Sequence, residues 1–310
     1  MRHLIIFLIF LSFLLFIPDQ VLALTISPLI IDAAIDPGQS GVYEVKLYNE
    51  TNDDIFISAA VEKFRPQGEN GQARILSPDI TDTSVNWIKL PANSLVLKPA
   101  EIISVPVIIN IPKTAEAGGY YLAVMWESSA GPKNQQSHQA LIASRVGTLV
   151  LLEVPGETKK GLEIIDFNLK ENKKFYNSWP IGFLLRLRNY GNVHLRPQGS
   201  VIIKDFTGQT IEALPFNSQG GAILPQTVRS FELFWGDDNN SRLGPLAVLI
   251  NQLADFKIGR FSAKTIIDYG NQDDLVSEPV YFWIFPWPSI ISLVVIAVVM
   301  IFLSRWVKKK

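Results

Sequence analysis

The stretch at residues 288–306, PSIISLVVIAVVMIFLSRW, constrains this chain more than any other. It carries no charge before Arg305, and as a helix rising about 1.5 Å per residue it would reach about 28 Å, the thickness of a bilayer's hydrocarbon layer. Pro286 and Pro288 stand at its start, where a missing N–H costs little. Trp283, Trp287 and Trp306 mark the two ends, where amphipathic rings favour the headgroup layer, and Arg305 with Lys308, Lys309 and Lys310 forms a basic tail. The expectation is a single-pass helix over residues 282–304 anchored in the bilayer of the cell membrane. The tail at 305–310 would be cytoplasmic and everything before Phe282 extracellular.

The other end of the chain fits export. Arg2 precedes an apolar run at residues 4–17, then Pro18 and the small-residue site Val21-Leu22-Ala23, which reads as a signal peptide over residues 1–23. These two segments supply much of the positive mean hydropathy. Of 28 Lys and Arg, one is in the leader and four are in the tail, and of 29 Asp and Glu one is in the leader, so the part between carries about five net negative charges. That excludes nucleic acid held by bulk attraction. With no cysteine at all, disulfides, thiolate catalysis and Cys-ligated zinc are excluded together, and stability must come from apolar cores.

Between those segments the pattern has a period of two. Tyr43, Val45 and Leu47 alternate with Glu44, Lys46 and Tyr48, and Ile55, Ile57, Ala59 and Val61 alternate with Phe56, Ser58, Ala60 and Glu62. Ile103, Val105, Val107, Ile109 and Ile111 form a third apolar row, with Pro106 marking an edge or bulge position. Tyr120, Leu122, Val124 and Trp126 share a fourth. Turn clusters at Asp36-Pro37-Gly38-Gln39 and at residues 49–53 separate the strands. Pro155-Gly156 and the charged residues after it break the pattern, which restarts at Leu162. The second half then repeats the order of the first. Residues 181–189 end in Tyr190-Gly191-Asn192 as residues 41–48 end in Asn49-Glu50-Thr51, Phe231-Glu232-Leu233 echoes Val105-Pro106-Val107, and Gly259-Arg260-Phe261 opens a late strand like Gly119-Tyr120-Tyr121. The fold expected is all-β, two tandem immunoglobulin-like sandwiches over 24–156 and 157–281. Residues 243–256 depart from the pattern and suit a short helix.

The turn Asp36-Pro37-Gly38-Gln39, the strand ending Leu47-Tyr48-Asn49 and Ala117-Gly118-Gly119 before an aromatic strand resemble the DUF916 domain. Residues 217–225, the strand Phe231-Glu232-Leu233-Phe234-Trp235 and Gly259-Arg260-Phe261 are similar to the DUF3324 domain. Leader, two domains, helix and basic tail together resemble the WxL-interacting protein family. The resemblance implies a bacterial surface protein whose first domain contacts peptidoglycan or a WxL-type surface protein and whose second reaches another ligand.

The residues themselves offer little chemistry. Only His138 and His194 lie between the leader and the tail, one in a polar loop and one just past a tight turn, and no nucleophile, metalloprotease or phosphate-loop motif is present. The acidic clusters Asp53-Asp54, Asp237-Asp238-Asn239-Asn240 and Asn271-Gln272-Asp273-Asp274 lack the spaced pattern of a calcium loop and read as turns. The expectation is therefore no enzyme, no metal and no cofactor. Tyr48, Phe56, Tyr121 and Tyr190 fall on outward faces or turns and are the ligand-contact candidates, whereas Trp87, Trp126, Trp179 and Trp235 suit the core. The function so read is a binding scaffold for peptidoglycan or a surface protein. The alternative is an extracytoplasmic assembly factor that lends an edge strand, and a hydrolase subunit comes last for want of paired carboxylates.

Overall fold

In the computed structural model, residues 24–77, 83–130, 144–236, 257–270 and 273–307 are described. The leader, His138, the helix expected at 243–256, the cluster at 237–240, Asn271, Gln272 and Lys308, Lys309 and Lys310 lie outside them. The chain divides into two compact units, one of Met1–Lys63, Ser77–Ala115 and Tyr121–Leu152, the other of Phe64–Leu76, Glu116–Tyr120 and Glu153–Lys310.

The first sandwich begins with a strand broken in two. β1 (Leu24–Ser27) pairs with β3 (Ser40–Asn49), while β2 (Ile30–Ala34), beyond Pro28, joins the opposite sheet beside β10 (Ser144–Val154). Proline has no N–H to give a ladder, so a strand that must change sheets is suited to carry one at the crossing. One sheet has the order β1-β3-β8-β6, with β8 at Ile102–Asn110 and β6 at Ile88–Lys89. The other has the order β2-β10-β9-β4-β5, with β9 at Gly118–Ala130, β4 at Ile55–Gln67 and β5 at Gln72–Ile75, and the short β7 (Ser94–Leu97) also pairs with β4. This is the strand order of an immunoglobulin-type sandwich. The expected apolar rows face inward: Val45, Leu47, Val107, Ile109, Leu122, Val124 and Trp126 have no exposure. Pro106 pairs with Glu44 at a level that β6, whose partners are Ile108 and Ile109, does not reach. The proline therefore presents its missing donor to an unoccupied side.

The second sandwich repeats the plan. β11 (Leu162–Leu169), β13 (Ile181–Asn189) and β16 (Thr227–Trp235) make one sheet. The other runs β12-β19-β17-β14-β15, formed by β12 (Phe175–Tyr176), β19 (Val280–Ile284), β17 (Gly259–Asp268), β14 (Gln198–Lys204) and β15 (Thr210–Phe216), with β18 (Leu275–Val276) beside β17. The correspondence holds residue by residue. Leu24, the first residue of β1, stands opposite Asn49, and Leu162, the first of β11, stands opposite Asn189.

With no cystine to pin the sheets, aromatic rings fill the second core. Trp235 meets Trp179 edge-on at 4.7 Å, and Phe261, Phe282 and Phe183 continue the cluster with centroids 5.5–6.1 Å apart. Such pairs add about 0.5–1.5 kcal/mol each beyond burial. Trp126 and Trp235 are core residues as expected, while Trp87 and Trp179 are only half-buried. Gly199 is needed where β14 passes β17, because a Cβ there would stand 2.0 Å from the Ile266 carbonyl oxygen.

The anchor is the main correction. A helix, α1, covers Trp287–Val307, yet among the described residues no helix is long and apolar enough to cross a membrane. Part of the apolar run credited to the span belongs to the sandwich: β19 occupies Val280–Ile284, with Phe282 unexposed and Ile284 at 3%. The single-pass topology, bilayer partner and cytoplasmic tail go with it.

Candidate functional site

The three aromatic candidates of the first unit do not converge. Tyr48 is half-buried on β3, in the sheet opposite Phe56 on β4, and Tyr190 belongs to the second unit. Phe56, 39% exposed, shares a sheet with the half-buried Tyr121, but Phe56 pairs with Ser129, eight positions from Tyr121 along β9, so the two residues are about 26 Å apart along the strand. Tyr190 is exposed at the end of β13, where Lys159 sits 5.6 Å over its ring. Tyr48, Phe56 and Tyr121 form no shared stacking platform.

The residues assigned to the membrane boundary are placed differently as well. Trp283 is a strand residue opposite Phe175 and Arg260, while Trp287 and Trp306 are exposed in α1 and Arg305 lies in its last turn. Trp283 and Trp287, with Phe175, Tyr176, Asn177 and Phe285, line an open groove of about 570 Å³. Burial pushes the Tyr176 phenol upward, with a smaller push from Glu171, and its hydroxyl has no hydrogen-bond partner. The sequence signal for this groove was the run of aromatic residues after Val280, which served equally well as a membrane belt.

Two asparagines, one expected in a turn and one at a strand end, prove to be buried polar clamps. Asn49 is fully buried at the end of β3 and donates through Nδ2 to the carbonyls of Asp53, Leu97 and Lys98 at 2.8–3.1 Å, while its Oδ1 accepts from the Thr51 N–H and hydroxyl. Asn189, equally buried at the end of β13, donates to Val193 and Ile223 and accepts from the Gly191 N–H. Each ties a strand end to a loop from across its sandwich. These are structural clamps, and His194, buried beside the second, belongs to the same turn. Among the described residues no three His, Asp or Glu side chains are grouped to hold a metal.

What stands open is a strand edge. β10 has eleven residues and β2, its partner on the outer side, only five, so less than half of that edge is covered. The Leu149 N–H donates to the Leu29 carbonyl, where the cover begins, and the Thr148 hydroxyl reaches the Pro28 carbonyl. Backbone groups two residues apart point the same way, so the N–H groups of Arg145 and Gly147 face the side that Leu149 faces, past the end of β2. Among the described residues no other strand pairs there. By contrast β16, a second edge, has its Ser230 N–H donated to the Glu69 carbonyl at 2.9 Å.

The fold and this edge define a two-sandwich protein with a strand end available for pairing. No known family's sequence model matches the chain, and no curated protein does. Among solved structures it is similar to the class 5 fimbriae chaperone CfaA, with 12% identity and a TM-score of 0.42, covering 85% of this chain and 100% of that one. It is also similar to the E. coli chaperone DraB, at 10% identity and a TM-score of 0.39 over 84% and 97% of the two chains. A third is the Salmonella enterica SafA pilin in complex with the SafB chaperone, at 9% and 0.39 over 86% and 98%.

Proposed function

We propose that this is a non-enzymatic, exported binding protein that holds a partner polypeptide by adding one of its extended segments to the uncovered end of β10, as an assembly factor for surface proteins would. The observation that carries it is the mismatch between β10 and β2. A sheet edge left open next to a covered one offers a ladder of main-chain donors and acceptors, and a strand laid along it gains affinity from the backbone with little demand on side-chain identity. Arg145, exposed and bridged to Glu62, puts a charge on that edge, which discourages indiscriminate pairing between copies of the chain. The resemblance to the WxL-interacting proteins supports a protein partner at the cell surface.

The test is a photo-crosslinking residue at Arg145 or Gly147, with Glu127 as a comparison site on β9. Adducts to exported polypeptides from positions 145 and 147, absent from 127, are expected, and those from position 147 should be lost in an Arg145→Pro background that removes one outward donor. Equal yields from 127, or no loss with the proline, would defeat the strand-addition reading.

A further inference from the structure

The last strand of the second sandwich hides one row of apolar residues and displays another. Phe282 and Ile284 are closed in the core, while Tyr281, Trp283 and Phe285 alternate with them and are 46–54% exposed. Phe285 lies one residue past β19, but its N–H still donates to the Tyr176 carbonyl at 2.8 Å, so the ladder and its alternation extend to it. Three rings therefore stand in line on one face, each about 6.8 Å from the next. Register widens the row, because Phe175 on one side and Arg260 on the other stand opposite Trp283. The exposed Phe175 and Trp287 also wall the groove shared with Trp283 and Phe285. A folded domain seldom leaves so many large rings together in water without a partner for them.

The same face is basic. On the adjoining strands its outward positions include Arg260, Ser262 and Lys264 of β17 and Lys204 of β14, since Phe261, Ala263 and Ile203 between them are buried. Lys204 stands opposite Ser262, and Ser262 opposite Tyr281, while the Arg260 guanidinium packs 4.2 Å from the centre of the Tyr281 ring. Among the described residues no acid forms an ion pair with Arg260, Lys264 or Lys204. The nearest acids are engaged or distant. Asp205 accepts from the Thr207 N–H and hydroxyl and from the Gln209 N–H, Glu212 accepts from Trp235 Nε1, Glu171 is bridged to Lys173, and Asp268 stands at the opposite end of β17.

We propose that this outer face, from Phe175 across Trp283 and Tyr281 to Arg260 and Lys204, binds an acidic polysaccharide. The C–H faces of sugar rings stack on exposed aromatic rings, and a row of rings at strand spacing meets successive sugars of one chain. The cations beside the row complement the carboxylates of such a polymer, the planar groups that a guanidinium pairs best. A polypeptide fits less well, because a sheet face, unlike the β10 edge, offers it no main-chain donors or acceptors. The surface lies within the second unit and does not depend on the strand-addition reading.

Affinity electrophoresis of the full chain tests it, in native gels holding polygalacturonate, alginate or hyaluronate, and in control gels holding dextran or poly-glutamate. Retardation by at least one of the acidic polysaccharides is expected, with the dissociation constant raised about tenfold in Trp283→Ala and about threefold or more in Arg260→Gln. It should be unchanged in Phe56→Ala, which removes an exposed ring from the first unit. Circular dichroism confirms that each variant is folded, and should Trp283→Ala not fold, Phe175→Ala carries the stacking test. No retardation by any of the acidic polysaccharides, retardation unaffected by loss of the ring, or equal retardation by poly-glutamate would overturn the assignment. So would flotation with phosphatidylglycerol vesicles that shows the same loss in Trp283→Ala, which would make the face a lipid contact.

Discussion

At the scale of single residues, the clearest result is how much depends on the asparagines that end β3 and β13. A short amide provides two donors and an acceptor, which suits it to gather the carbonyls of a loop that crosses the end of a sandwich. Asn49→Ala leaves three buried or half-buried carbonyls short of a donor and should cost about 1–3 kcal/mol, read by chemical denaturation. An unchanged midpoint would show that water replaces the amide. The sequence places Asn49 in a turn and Asn189 at the end of a strand, and nothing in either local stretch reveals that its amide points inward. The same blindness affected Arg229, which looks like any strand arginine until its partner Leu187 shows the face it occupies.

At the scale of elements, the strands were legible and their edges were not. Alternation in residues 43–47, 55–61 and 103–111 gave the inward rows because one face of each is buried, and the echo between Val105 and Phe231 holds in the register, each standing opposite the strand residue four before its asparagine. Coverage of an edge depends on where a distant strand stops, as β2 does beside β10, and local sequence does not carry that. The hairpin of residues 64–76 was equally hidden. It docks in the second unit through Glu69, whose carboxylate makes two contacts with Arg186, at Nε 2.8 Å and Nη2 2.5 Å, and whose carbonyl takes the Ser230 N–H. The Arg186 contact holds the Glu69 carboxyl below its ordinary range. A depressed acid stabilises the folded form above its unfolded value, about 4.3, and that contribution fades as acid protonates it through the lower folded value. Hydrogen exchange of the Ser230 amide should therefore quicken, after correction for intrinsic rate, on acidification below about pH 4, and Glu69→Gln should remove this dependence. The same acid response in the variant would assign it to another group.

At the scale of the whole molecule, the duplicated plan was visible because each half repeats its turn and strand signals in order. The terminal helix was misassigned because an apolar run does not declare where a sandwich's last strand ends and a helix begins. Phe282 and Ile284 are as apolar as their neighbours downstream, and only their burial in the second core separates them. The two units also do not follow each other like beads. Phe64–Leu76 and Glu116–Tyr120 fall within the stretch of chain that builds the first, yet they count with the second. A recombinant fragment starting after Leu152 therefore lacks the main-chain acceptor at Ser230 and the acid that neutralises Arg186. Such a fragment should lose protection at the β16 edge and self-associate at lower concentration than the full chain, measurable by sedimentation. Anyone dissecting this protein by deletion thus meets a braided topology, in which a phenotype from removing either half reports on both.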